Sequence, residues 1–156
     1  MNETNRKAFL DMIAFSEIGK DLLAISDNGY NVIVGSTPKN PILFHSYADH
    51  PRQLIDLGRG LKSTAAGRYQ ILSRYYDAYK RQLILPDFSP ISQDRIALQM
   101  IKECKAIADI DSGNIISAIK KCRSRWASLP GAGYGQHENN MESLLAYYGQ
   151  ARGVAA

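Results

Sequence analysis

The sequence predicts an α+β fold, mostly helical, with a small antiparallel β-sheet or hairpin near the N-terminal third. Three observations carry this. Apolar residues recur at helical spacing in several segments separated by Gly, Pro and Asp/Ser stops. β-branched and aromatic residues gather instead in two short runs, Tyr30–Val34 and Ile42–Tyr47. The 156 residues hold no repeat and no linker-like stretch, so a single domain over residues 1–156 is expected.

Residues 4–17 read as a helix with Thr4 or Asn5 as N-cap, burying Phe9, Met12, Ile13 and Ser16 on one face. Residues 18–28 read as a polar connection. Two strands, 30–34 and 42–47, flank a hairpin loop at Thr37-Pro38-Lys39-Asn40-Pro41. Residues 48–62, opened by Asp49-His50-Pro51 and containing Gly58-Arg59-Gly60, read as a mobile loop. Ser63-Thr64 can cap a helix over about 66–83, and Ser89-Pro90 is an N-cap/N1 pair for about 90–104. Asp111-Ser112 starts a helix with Ile115, Ile116, Ile119, Cys122 and Trp126 on one face. The last helix covers about 137–149.

Composition excludes several function classes. Apolar content of 45% and charged content of 22% are those of a soluble globular protein. The net charge of +4 comes without a dense basic run; Lys120–Arg125 falls on a helix. No nucleic-acid motif is present, so nucleic acid is not an expected partner. No stretch approaches a membrane span, and the apolar run after Met1-Asn2-Glu3 is broken by Asp11. No signal peptide is read, and accumulation in the cytoplasm is expected. Cys104 and Cys122 read as free thiols, with a bridge between them left open. His45, His50 and His137 form no motif, and no metal or cofactor is expected.

Three segments could carry chemistry. Glu17 ends the first amphipathic helix just before Gly19. A Glu there is ordinarily a solvated charge, but a carboxylate fixed by a rigid element and open to a ligand is also how a general acid is mounted. In Leu61–Leu72, small residues precede Gly67-Arg68-Tyr69-Gln70. Gly67 permits close approach, and the Gln70 amide offers donor and acceptor to sugar hydroxyls and acetamides. The bland reading is a capped helix with a core tyrosine. In Trp126–Gln136 three glycines and a proline surround Tyr134. No strand precedes it, so a phosphate cradle is disfavoured, and the bland reading is a helix–helix turn.

Together these stretches resemble the phage lambda endolysin family, soluble lytic transglycosylases with a lysozyme-like fold. The resemblance rests on Arg6–Met12 with Ser16-Glu17, Gly29-Tyr30 through Gly35, Asp49-His50-Pro51-Arg52, Leu61–Thr64 with Ala66–Gln70, Asp87–Pro90 and Trp126–Gln136. It runs through nearly the whole chain in order. Departures fall at 18–28, in the longer 36–47 hairpin and at the C-terminus. A histidine that the family carries before the Gly-Tyr pair is Asn28 here. The resemblance implies Glu17 as the catalytic residue and two flexible lips, roughly 50–62 and 129–140. The expected substrate contacts are Tyr30, Ser63, Tyr69, Gln70, Tyr134 and Gln136. The implied substrate is the glycan strand of peptidoglycan, cut between N-acetylmuramic acid and N-acetylglucosamine. A monomer is expected, with a separate holin releasing it to the wall.

The residues bear on the mechanism independently. Water-using glycosidases ordinarily need two carboxylates. Beside Glu17 the candidates are Asp11, Asp21, Asp27 and Asp49, and none is compelling from spacing. A one-carboxylate transglycosylase needs no partner; a hydrolytic muramidase on the same fold is the nearest rival, and a non-catalytic glycan-binding module the next. As a general acid Glu17 needs a raised pKa, which Tyr134 and the closed lips are expected to supply by partial burial.

Overall fold

The computed structural model describes residues 1–134 and 137–153. Its longest helix follows from the first apolar stripe. Helix α1 spans Glu3–Ile18 and buries Phe9, Met12, Ile13 and Ser16, the face that the spacing predicts. The cap is neither Thr4 nor Asn5 but Asn2, whose side-chain oxygen accepts from the Asn5 amide at 3.0 Å. Asn5 is buried and donates through Nδ2 to the Ile110 carbonyl at 2.8 Å.

The chain forms two compact units: Met1–Glu17 with the chain from Ala97 onward, and Ile18–Ile96. In the second unit, Gly19 (φ +88°) is followed by a short helix α2, Lys20–Ile25, burying Leu22 and Leu23. The sequence reading gave this stretch as a polar connection, because six residues are too few to show a helical period. The two expected strands pair, but as one bridge, Val32 with Leu43. The Ser36 hydroxyl explains why the ladder stops. It donates to the Ile33 carbonyl at 2.6 Å and accepts from the Ile42 amide at 2.9 Å, taking the place of a further backbone rung.

The regular antiparallel sheet lies instead in the stretch read as a mobile loop. Strands β1, Ile55–Asp56, and β2, Lys62–Ser63, pair Ile55 with Ser63 and Asp56 with Lys62. Positive φ at Gly58, Arg59 and Gly60 reverses the chain, and the Asp56 carboxylate accepts from the Gly58 amide at 2.9 Å. The helix expected from 66 begins later, as α3, Ser73–Leu83. Positive φ at Gly67 (+84°) and Gln70 (+51°) excludes right-handed helix there. Thr64 still caps it, accepting the Ser73 amide at 3.0 Å across the turn.

Helix α4, Pro90–Glu103, starts as its Ser-Pro signal predicts, with Ser89 Oγ accepting from the Ser92 amide at 3.4 Å. Asp111 ends a short helix α5 (Ile107–Asp111), and the helix expected from it begins later, as α6 (Ile115–Cys122); Gly113 (φ +82°) lies between the two. Ile116, placed on the apolar face by the sequence reading, is exposed, whereas Ile115, Ile119, Cys122 and Trp126 are buried. Helix α7, Met141–Ala151, starts at Asn140, whose side chain accepts from the Ser143 amide at 2.8 Å.

Cys104 and Cys122 are free thiols, and they hydrogen-bond to one another. That bond, aided by the Arg125 charge, pulls the partly accessible Cys104 thiol below its ordinary range. The same bond, with burial, pushes Cys122 up. Iodoacetamide near neutral pH is therefore expected to alkylate Cys104 well ahead of Cys122. Equal rates at the two sites, read by peptide mass spectrometry, would contradict this.

Candidate active site

Glu17 is the penultimate residue of α1 and is partly accessible. Burial pushes its carboxyl up to about 7, against a hydrogen bond from Ser128 that lowers it. Ser128 is held in turn. Its hydroxyl lies 2.7 Å from the Ser16 hydroxyl. Asn139 donates through Nδ2 to the Ser16 carbonyl at 3.0 Å and to the Ser16 hydroxyl at 3.1 Å. The Asn139 amide donates to the Ser128 carbonyl at 2.8 Å. Ser16 and Ser128 are both buried.

The segment after α6 supplies these partners. Trp126 and Leu129 anchor it in the core of the first unit. Gly131 and Gly133 take positive φ, and their amides donate to the Glu138 carboxylate at 2.9 and 3.0 Å. Tyr134 is 56% exposed and donates to the Ser124 carbonyl at 2.8 Å. The group hydrogen-bonded to Glu17 is therefore Ser128 and not Tyr134. The sequence reading missed Ser128, Glu138 and Asn139, since a serine or asparagine in a loop has no spacing that marks it. Gln136 lies outside the described residues.

Tyr30, Ser63, Tyr69 and Gln70 belong to the second unit. Tyr69 is fully buried and has no surface for a ligand, which corrects its expected place among the substrate contacts. Its hydroxyl donates to Asp94 Oδ1 at 2.5 Å, and the Tyr30 hydroxyl donates to the same oxygen at 2.9 Å. Burial beside Asp94 pushes the Tyr30 phenol up to about 12. The buried Arg68 guanidinium donates to the Tyr69 hydroxyl at 3.1 Å, and its centre lies 5.3 Å from the Tyr30 ring centroid. The Asn28 carbonyl accepts from Arg68 Nε at 3.0 Å.

Gln70 Nε2 donates to the Gly67 carbonyl at 2.9 Å, closing the turn. A side chain at Gly67 would run into the buried Gln93 amide, which accepts from the Arg68 amide at 2.9 Å. This is the close approach the glycine permits. Ser63 is partly accessible, and its oxygen accepts from the Ala65 amide at 3.1 Å. Of the other carboxylates weighed, Asp11 pairs with Lys7 at 3.2 Å, Asp49 with Arg52 at 2.9 Å, and Asp27 accepts from the Tyr47 hydroxyl at 2.5 Å. Among the described residues no cluster of His, Cys, Asp and Glu could hold a metal ion.

The sequence model of the family described as Endolysin matches residues 7–155. The endolysin of Escherichia phage lambda is 55% identical, over 96% of this chain and 92% of its own. The endolysin of Escherichia phage P2 is 48% identical, over 97% and 95%. Among solved structures, bacteriophage lambda lysozyme complexed with a chitohexasaccharide superposes with a TM-score of 0.88 at 54% identity, covering 97% of this chain and 96% of that one. A second lysozyme structure from bacteriophage lambda gives 0.84 at 53% identity, with the same coverage. The fold is therefore lysozyme-like, and the chain belongs to the endolysin family.

Proposed function

We propose that this chain is a lytic transglycosylase that cuts peptidoglycan glycan strands between N-acetylmuramic acid and N-acetylglucosamine, leaving a 1,6-anhydromuramic acid end. Family membership supports the coarser part, a phage endolysin that cleaves peptidoglycan, and the glycan held by bacteriophage lambda lysozyme supports a sugar-chain substrate. The observation that carries the reading is the setting of Glu17, whose carboxyl burial raises to about 7, where a general acid can hold its proton.

The chemistry follows from one group. An ordinary Glu is protonated in about one molecule in 500 at pH 7, whereas a carboxyl with pKa about 7 is protonated in half of them. Glu17 gives that proton to the glycosidic oxygen as the bond to C1 breaks. The resulting carboxylate takes the proton of the muramic acid C6 hydroxyl, whose oxygen closes on C1 of its own ring. The acid is regenerated, and the nucleophile is already tethered, so no water need be positioned. On this reading Ser63, Gln70, Tyr30 and Tyr134 remain substrate contacts, and Tyr69 supports Tyr30 from below the surface.

Passage to the wall belongs, on the same reading, to a separate holin. The monomeric enzyme waits in the host cytoplasm until then. Among the described residues no helix is long and apolar enough to cross a membrane.

The test is product analysis. Digested peptidoglycan is expected to yield anhydro fragments, one water lighter than hydrolysis products and inert to borohydride. New borohydride-reducible ends would establish a hydrolytic muramidase instead.

A further inference from the structure

We propose that Glu138 is a positioning residue for Tyr134: its carboxylate braces the loop after Trp126 from within and fixes the Tyr134 ring for contact with a sugar. The proposal rests on the reading of Tyr134 as a substrate contact.

The loop carries its own anion site. Gly131 and Gly133 take φ of +80° and +78°, a region that other residues rarely adopt. Turns of this kind point backbone amides to one concave side, where an anion fits. Glu138 supplies the anion. One carboxylate oxygen accepts from the Gly131 amide at 2.9 Å and the other from the Gly133 amide at 3.0 Å. With each oxygen engaged, the carboxylate is fixed in orientation as well as in place.

The brace has a firm footing. Asn139, the next residue, donates through its amide to the Ser128 carbonyl at 2.8 Å, which joins the two limbs of the loop at their base. Its Nδ2 donates to the Ser16 carbonyl at 3.0 Å and so ties that base to α1. Further out, Glu138 joins the limbs.

Tyr134 follows Gly133 directly. The bond that pins the Gly133 amide therefore pins the backbone from which the ring departs. The far end of the side chain is tied as well, since its hydroxyl donates to the Ser124 carbonyl at 2.8 Å. A ring held at both ends yet 56% exposed offers a ligand a surface that is already ordered. The two glycine amides also hold the Glu138 carboxyl below its ordinary range, so the brace is ionised at neutral pH. A carboxylate held in this way is a weak base, suited to support rather than to proton transfer.

The test is a double-mutant cycle read in KM and kcat on soluble peptidoglycan glycan strands. Thermal melts confirm that each variant is folded. Glu138→Ala is expected to raise KM about threefold to tenfold, the range for losing the pre-ordering of one side chain, with kcat little changed. In its amide NMR spectrum the Gly131 and Gly133 protons should move upfield as their acceptor is lost. Glu138→Gln keeps one acceptor oxygen at full reach and is expected to recover part of the KM. Tyr134→Ala is expected to raise KM by itself. Adding Glu138→Ala to it should bring no further rise, because the brace acts through the ring. A full further rise in the double variant, or an unmoved KM in Glu138→Ala, would overturn the proposal. A collapse of kcat with KM unmoved would also overturn it and place Glu138 in the chemistry. An unmoved KM in Tyr134→Ala would overturn the reading of Tyr134 as a substrate contact and this proposal with it, even where the amide shifts uphold the brace.

Discussion

Glu17→Gln is expected to abolish glycan cleavage while making the protein more stable at neutral pH than the wild type. The activity loss follows from removing the proton donor and acceptor of both steps, worth about 10²–10⁴-fold on general acid–base catalysis alone. The stability gain follows from linkage. The Glu17 carboxyl is raised from 4.5 to about 7 in the folded state. Between those values the folded chain holds a proton that the unfolded chain has released, so raising the pH through this window favours unfolding. At about 1.4 kcal/mol per pH unit the window amounts to at most about 3.5 kcal/mol, reduced by the solvent that reaches the side chain. Glutamine has no charge to bury and escapes the loss. Urea unfolding of both proteins from pH 4 to pH 8 should show curves that diverge between about 4.5 and 7 and then run parallel. A constant difference across that range would mean that Glu17 titrates normally.

Asp94→Ala is expected to lower stability by about 3–5 kcal/mol without touching the acid. Asp94 Oδ1 accepts from both the Tyr30 and Tyr69 hydroxyls, and Tyr69 accepts from the buried Arg68 guanidinium. Alanine leaves two phenols without that acceptor and a buried cation without the carboxylate behind its tyrosine. For a chain of this size the corresponding drop in Tm is about 10 °C. Asp94→Asn keeps an acceptor oxygen and is expected to lose about half as much. Differential scanning calorimetry of the two variants decides the matter, and an unchanged Tm in Asp94→Ala would show that the cluster is not a stabilising network.

Long, capped helices were legible in the sequence because their information is local. The buried stripe of α1 and the Ser-Pro start of α4 each lie within a few residues of the structure they specify. Glu17 was legible for the same reason, as a charge where an apolar stripe meets a glycine. The β1–β2 hairpin was hidden because its strands are two residues each, too short to alternate visibly. The turn at Gly67–Gln70 was hidden because Gln70 takes positive φ, which its residue type does not announce. Tyr69 was misplaced for a related reason: an aromatic beside a Gly-x-x-Gln stretch reads as a binding residue, and only the tertiary fold shows it sealed against Asp94. Ser128 was invisible because its meaning depends on Ser16, 112 positions earlier in the chain.

That separation has a consequence for the order in which the protein is made. Ser16 and Glu17 leave the ribosome early, yet Ser128 follows Ser16 by 112 residues and Asn139 follows it by 123. At roughly 5–20 residues per second, a nascent chain holds Glu17 for about 6–25 s before Ser128 and Asn139 have been synthesised. Until then Glu17 has the proton affinity of an ordinary glutamate. On the proposed function, the power to protonate a sugar is thus conferred last.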